Sequence, residues 1–213
     1  MSVLIFIDQS EGHIKKASLE VLSYGAKLAA QLGDTAEGIV LGTVSEDLAA
    51  LGQYGVTKIH HVNNGALNQL DAQVFTDVIA QVAASTGAKV IVFSNNVDGK
   101  SIAPRLSVKL KAGLVSGAVA LPDTSNGFVV KKTVFSGKAF ANISLNTPVK
   151  IIALNPNSYA VSAAGDAKAT VVASEVNVAA SKIKVTGVNK VKGEVPLSEA
   201  DIVVSGGRGL KRA

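Results

Sequence analysis

The pattern of apolar and polar positions changes character near residue 112. Before that point, short apolar runs alternate with stretches of helical spacing. Val3-Leu4-Ile5-Phe6-Ile7 is a continuous apolar run suited to a strand buried on both faces, and Asp8 closes it. Ile14, Ala17, Val21, Gly25, Leu28 and Leu32 then recur on one helical face, with Gly33 placed to end the helix in a left-handed conformation. Residues 36–41 give a second strand, and a short helix begins at Glu46-Asp47, with Ser45 as its cap. Lys58–Val62 is a third strand. Leu67, Leu70, Val74, Val78 and Val82 form a second amphipathic helix ending near Gly87. Residues 89–93 make a fourth strand, and a third helix runs from about Gly99 to Lys111, with Pro104 tolerated in its first turn.

This alternation predicts an α/β fold: a doubly wound, mainly parallel sheet with right-handed crossovers. Beyond it come strand-like runs at 115–121, 128–135, 139–145 and 149–154. Ser125-Asn126-Gly127 and Ser136-Gly137-Lys138 are suitable hairpin connections, so an antiparallel section is added to the parallel one. Residues 155–169 read as a loop, 168–177 and 181–190 as extended segments, and 188–196 as a linker. A final buried strand is expected at 202–204. No internal repeat is visible.

Of 213 residues, 47% are hydrophobic and 17% charged, enough to bury a sizeable core. No apolar run reaches the length of a bilayer, so the chain is not expected to be membrane-embedded. The first strand starts by Ser2, leaving no room for a leader, and there is no cysteine for disulfides or thiolate metal sites. A bacterial cytoplasmic protein is the simplest expectation. Charge is uneven. Residues 1–99 hold 5 Lys/Arg against 10 Asp/Glu and residues 100–213 hold 16 against 6, giving −5 and +10 within the net +5. The basic half does not point to nucleic acid, because its lysines are scattered and the chain has three Tyr, six Phe and no Trp on which bases could stack.

Few residues suggest chemistry. Gly99-Lys100-Ser101 follows a strand and opens a helix, like the end of a phosphate loop. The full motif requires a glycine where Ser94 stands, so a helix start is the better reading. His60 and His61 are neighbours in a strand and point to opposite faces, so they cannot share a metal, and His13 lies in another loop. No metal site is expected. Asp8 sits at the carboxyl edge of the first strand, where open α/β sheets take ligands, but one carboxylate there serves equally well as a cap. No nucleophile elbow or catalytic constellation is present. At the other end, Ser205-Gly206-Gly207-Arg208-Gly209-Leu210-Lys211 follows the apolar run of 202–204, the order that opens a cofactor-binding turn.

Taken together, several stretches resemble the alpha subunit of electron transfer flavoprotein. These are the opening Ser2-Val3-Leu4-Ile5-Phe6-Ile7 leading through Gly12 and Lys15 to a Leu-Glu-Val-Leu helix, and Gly99-Lys100-Ser101-Ile102-Ala103-Pro104-Arg105-Leu106. The others are the strand pair around Ser136-Gly137-Lys138-Ala139 and, most specific, Ser205-Gly206-Gly207-Arg208-Gly209-Leu210-Lys211. The resemblance implies a heterodimer with the electron transfer flavoprotein beta subunit. It also implies one flavin adenine dinucleotide (FAD), and an adenosine monophosphate kept by the beta subunit. The assembly would carry electrons from acyl-CoA-type dehydrogenases, as in fatty acid beta-oxidation, to a quinone oxidoreductase or another acceptor. It would have no substrate turnover of its own. By the same resemblance the N-terminal domain is an adenine-nucleotide alpha-hydrolase-like sheet that serves as a scaffold, and Arg208 contacts FAD.

The family continues past this motif with further flavin-binding segments that do not occur in these 213 residues. Two parts are therefore expected: 1–190 as the α/β scaffold domain and 191–213 as a linker and first strand of a truncated FAD-binding domain. A chain of this extent is not expected to hold FAD alone. The alternative is a stand-alone nucleotide-binding module of the stress-protein type, which requires a glycine-rich phosphate loop after an early strand.

Overall fold

The computed structural model describes residues 2–163, 165–188, 197, 200, 202–207 and 209. In chain order the strands are β1 (Ser2–Ile7), β2 (Gln9–Ser10), β3 (His13–Ile14), β4 (Thr35–Leu41), β5 (Lys58–Val62), β6 (Val90–Ser94), β7 (Gly113–Ala118), β8 (Val129–Val134), β9 (Ala139–Ser144), β10 (Lys150–Leu154) and β11 (Thr170–Ala173). The helices are α1 (Lys16–Leu32), α2 (Ala72–Thr86) and α3 (Val97–Leu110), with 3₁₀ turns at Leu48–Tyr54 and Gly65–Leu67. The main sheet has nine strands in the order β11-β5-β4-β1-β6-β10-β7-β8-β9. It is parallel from β11 to β7 and antiparallel through β8 and β9. The α/β fold expected from the pattern is therefore the fold observed.

Successive residues of β1 serve opposite layers, as strand geometry dictates. Val3, Ile5 and Ile7 pack with Val21, Leu22 and Leu28 of α1. Leu4 and Phe6 face Val78 and Ile79 of α2 and Ile102 and Leu106 of α3. The sheet is thus covered on both faces, which is why its central strands are mostly apolar. Gly25 lets α1 settle against the sheet, since a Cβ there would lie 2.5 Å from Ile5.

Several boundaries differ from the expectation. Residues 149–154 were assigned to the antiparallel section, but β10 runs parallel between β6 and β7. Ile151, Ile152, Ala153 and Leu154 are all buried, and such a strand belongs in the middle of a sheet. Ile14 lies in the β2–β3 ribbon rather than in α1. Asp47, not Ser45, caps the 3₁₀ turn by accepting from the Ala49 N–H, while the Ser45 hydroxyl donates to the Gly12 carbonyl. Leu67 and Leu70 precede α2, whose start is fixed by Asp71 accepting from the Gln73 and Val74 N–H groups. The third helix starts at Val97 with Asn96 as its cap, so Pro104 lies inside it and the Lys100 carbonyl loses its usual partner. Among the described residues of 181–190 no strand forms.

The expected strand at 202–204 is not one. Ile202 is 84% exposed and Val204 94% exposed, and neither pairs in a ladder. An apolar run becomes a strand only where a neighbour takes its backbone groups and covers a face. The chain divides into two units, Met1–Ile183 and Lys184–Ala213. The nine-stranded sheet and its helices all belong to the first.

Candidate functional site

The chain runs from β1 to β4 and β5 on one side, then crosses over α2 to β6 on the other. The order therefore reverses between β1 and β6, which is where open α/β sheets bind ligands. The side chains at the carboxyl ends of these two strands fill that place themselves. Lys15 Nζ lies 2.9 Å from Asp8 Oδ2 and 2.6 Å from Asp98 Oδ2. The Asn96 amide donates to Asp8 Oδ2 at 2.8 Å, and its oxygen caps α3 by accepting from the Gly99 N–H at 2.9 Å. Ser18 accepts from the Asp8 N–H and donates to the Asp8 carbonyl, tying the end of β1 to the first turn of α1.

Burial raises the Asp8 carboxyl to about 6, against the opposing pull of the Lys15 ammonium and with a further push from Asp98. Burial lowers the Lys15 ammonium, but Asp8 and Asp98 more than offset this and hold it above its ordinary value. One cation shared by two carboxylates ties the end of β1 to the start of α3 and acts as a structural lock. The cavity that remains beside it, lined by Phe6, Asp8, Leu41, Leu67, Phe75 and Asp98 among others, holds about 40 Å³. That is room for a water molecule, not for a nucleotide.

A second cleft, of about 420 Å³, lies between the β2–β3 ribbon and the loop after β4. It is lined by Gln9, Glu11, Gly12, Thr43, Val44, Ser45, Asn68 and Gln69, with no lysine or arginine to meet a phosphate. Three of its polar side chains bond nearby backbone. Gln9 bonds the Leu41 carbonyl and the Gly12 N–H, Asn68 accepts from the Thr43 N–H, and Ser45 donates to Gly12.

The glycine of Gly99-Lys100-Ser101 has a packing role. A Cβ on Gly99 would fall 1.9 Å from the Ser94 carbonyl oxygen, so the residue lets α3 start directly against the end of β6. The Ser101 hydroxyl is used locally, donating to the Asp98 carbonyl at 2.7 Å. His60 and His61 do diverge. His60 Nε2 lies 2.6 Å from Glu37 Oε2, and His61 Nε2 lies 2.8 Å from the Gly42 carbonyl. His13 pairs with Glu46 at the surface.

Asp8 stands at the sheet edge where the sequence placed it. Its partners Asp98 and Asn96 escaped notice, being distant in sequence and typical of any helix start. Glu20 was also missed. It is a buried carboxylate of α1 that accepts from the backbone N–H groups of Asn157, Ser158 and Tyr159 at 2.7–2.9 Å, pinning the turn after β10. The signal was present, because Glu20 falls on the same helical face as Ala17 and Val21.

Arg208, expected to contact FAD, lies outside the described residues. Its described neighbours form no cradle. A Cβ on Gly207 would meet only the Gly209 nitrogen, at 4.0 Å, and one on Gly209 would meet nothing. At the locked edge of the sheet the described residues leave about 40 Å³, too little for FAD.

Comparison with known proteins gives these features a setting. The electron transfer flavoprotein domain model matches residues 3–181, the whole of the nine-stranded sheet. The chain belongs to the electron transfer flavoprotein family. Its relatives make it a member of the alpha type. It is 25% identical over 217 residues to electron transfer flavoprotein subunit alpha of Bacillus subtilis, and 27% identical over 210 residues to that of Syntrophomonas wolfei. The alignments cover 98% and 97% of the chain and 65% of each relative. Another relative is lactate dehydrogenase (NAD(+),ferredoxin) subunit LctC of Acetobacterium woodii, 27% identical over 98% of the chain and 51% of its own length. The chain thus spans about two thirds or less of these relatives. Among solved structures, the universal stress protein from Archaeoglobus fulgidus in complex with dAMP shows 17% identity and a TM-score of 0.36, over 51% of the chain and 90% of that protein, too slight a likeness to carry an argument.

Proposed function

We propose that this chain is the scaffold portion of an alpha-type electron transfer flavoprotein subunit. It docks against a beta subunit in an assembly whose redox chemistry belongs to FAD. The observation that carries this reading is the Asp8–Lys15–Asp98 lock, which fills the switch point of the sheet and leaves about 40 Å³ beside it. A nucleotide-binding module of the stress-protein type would need that place open, with a phosphate-binding loop beside it. Instead, Gly99 is committed to packing on Ser94.

In the intact assembly FAD would supply the electron-carrying chemistry. It would accept electrons from acyl-CoA-type or other flavin dehydrogenases and deliver them to a quinone oxidoreductase or another acceptor, in the bacterial cytoplasm. The chain turns over no substrate of its own. Arg208 contributes a flavin contact, completed by segments in the third of the relatives' length that this chain does not span. Residues 1–190 act as the scaffold domain and 191–213 as the approach to the flavin domain.

The test is a flavin titration of the purified chain, with and without a co-expressed beta subunit, followed by visible absorbance after desalting. Association with the beta subunit and no retained flavin is the expected result. Flavin held by the chain alone would overturn the scaffold assignment. Failure to associate would overturn the alpha-type role.

A further inference from the structure

Beyond β11 the chain does not leave the sheet unit at once. Residues 174–183 run extended across the α2 side, outside any strand or helix. Ser174, Val176 and Val178 are half-buried while Glu175, Asn177 and Ala179 between and after them are exposed, the alternation of a strand against a surface. Val176 and Val178 pack on the α2–α3 side of the core.

What holds this segment differs from what holds β11. The root of β11 is set by backbone contacts. The Ala169 N–H donates to the Ala49 carbonyl and the Thr170 N–H to the Thr57 carbonyl, and Gly52 lies so close that a Cβ there would sit 2.3 Å from the Ala169 nitrogen. The segment that follows keeps one backbone bond at its root, from the Ser174 N–H to the His61 carbonyl at 3.0 Å, and is otherwise fastened by three side chains. His60 lies 3.3 Å from the Ser174 hydroxyl. On its other side, His60 Nε2 lies 2.6 Å from the Glu37 carboxylate. The Gln81 amide stands in for a neighbouring strand, donating to the Asn177 carbonyl at 2.9 Å and accepting from the Asn177 N–H at 3.0 Å. Asp71 divides its two oxygens: Oδ1 caps α2 and Oδ2 accepts from the Ser181 hydroxyl at 2.6 Å, while Ser181 accepts from the Ile183 N–H. The second unit begins one residue later, at Lys184.

We infer that residues 174–183 are a strap, latched by His60, Gln81 and Asp71, whose docking sets the length of the tether between the sheet and everything from Lys184 onward. Docked, the tether begins at Ile183. Released, it begins at Ala173, and a flexible segment of this length adds a root-mean-square reach of about 17 Å. The latch is suited to reversible release, because beyond the Ser174 N–H each fastening is a single side chain whose loss leaves the β-ladders intact. The inference does not depend on which cofactor or partner the second unit serves.

The test uses the full chain and two clasp-removing substitutions that leave the α2 cap in place, Gln81→Ala and Ser181→Ala. Hydrogen exchange followed by mass spectrometry should show residues 175–183 exchanging about tenfold faster or more in the double variant, with β5, β11 and α2 unchanged within about twofold. The chain has no cysteine, so spin labels can be placed through Lys27→Cys and Leu197→Cys, both exposed positions. Their distance distribution should broaden by about 10 Å or more in the double variant. Free-chain exchange of 175–183 already in the parent would overturn the strap. Equal acceleration of β11 and α2 would show it to be part of the cooperative core rather than a latch. Faster exchange with an unchanged distance distribution would overturn its role in tether length.

Discussion

Asp8 illustrates how one carboxylate can be structural at a place where the fold leads one to expect chemistry. Its folded-state value of about 6 lies above the ordinary carboxylate value, so between roughly pH 4 and 6 the native state holds a proton that the unfolded chain has released. Its contribution is therefore most favourable at and below pH 4 and is lost as the pH rises through 6. Asp8→Asn removes this dependence, keeps an oxygen for Lys15, and leaves Lys15 paired with Asp98. Denaturant unfolding at a series of pH values should show the variant gaining on the parent between pH 4 and 6, by about 3 kcal/mol at most, with a constant difference above about pH 7. A parallel offset across the whole range would show that Asp8 is not the titrating group. The position of Asp8 was legible in the sequence, since an acid after a buried run sits at the sheet's edge. Its neighbours were not, because nothing local links Lys15 to Asp98 across 83 residues.

At the scale of elements, the long periodic segments were legible and the short ones were not. β1, β5 and the body of α1 follow from apolar runs and helical spacing that admit one reading. The start of α2 is fixed by Asp71 accepting from its first N–H groups, which leaves Leu67 and Leu70 outside the helix, and the 3₁₀ turn is capped by Asp47 rather than Ser45. Apolar spacing shows neither, because the boundary is set by which side-chain oxygen reaches a free backbone N–H. α1 also does more than cover a face, because its Glu20 fixes the turn after β10 through three backbone donors. Glu20→Gln keeps the shape but turns an NH₂ toward an N–H. It should cost about 1–3 kcal/mol and raise hydrogen exchange at 157–159 selectively. Unchanged exchange there would show that the turn is held by its own geometry.

The sheet unit is graded from a centre covered on both faces to a thin edge. β1, β6 and β10 are covered on both faces, whereas β8 is mostly half-buried and β9 largely exposed, with Phe140 at 60% exposure under the Lys131 ammonium. The grading predicts that Ile152→Ala in the centre costs about 2–5 kcal/mol and Phe140→Ala about 1 kcal/mol or less in denaturant unfolding, despite the larger side chain removed from the hairpin. Comparable losses would mean that the hairpin is part of the core. The position of β10 was hidden in the sequence because strand order is not chain order. The chain makes β6, then α3, then β7, runs out through the hairpin, and only then returns to fill the gap between the two parallel strands. During synthesis that gap stands open. β6 is complete at Ser94 but its neighbour is not finished until Leu154, an interval of roughly 3–12 s at about 5–20 residues per second. For that time the nascent chain presents an unpaired edge on a strand that is apolar from Val90 to Phe93. Holdase binding and misassembly on the ribosome should therefore concentrate on intermediates whose last translated residue lies in this window.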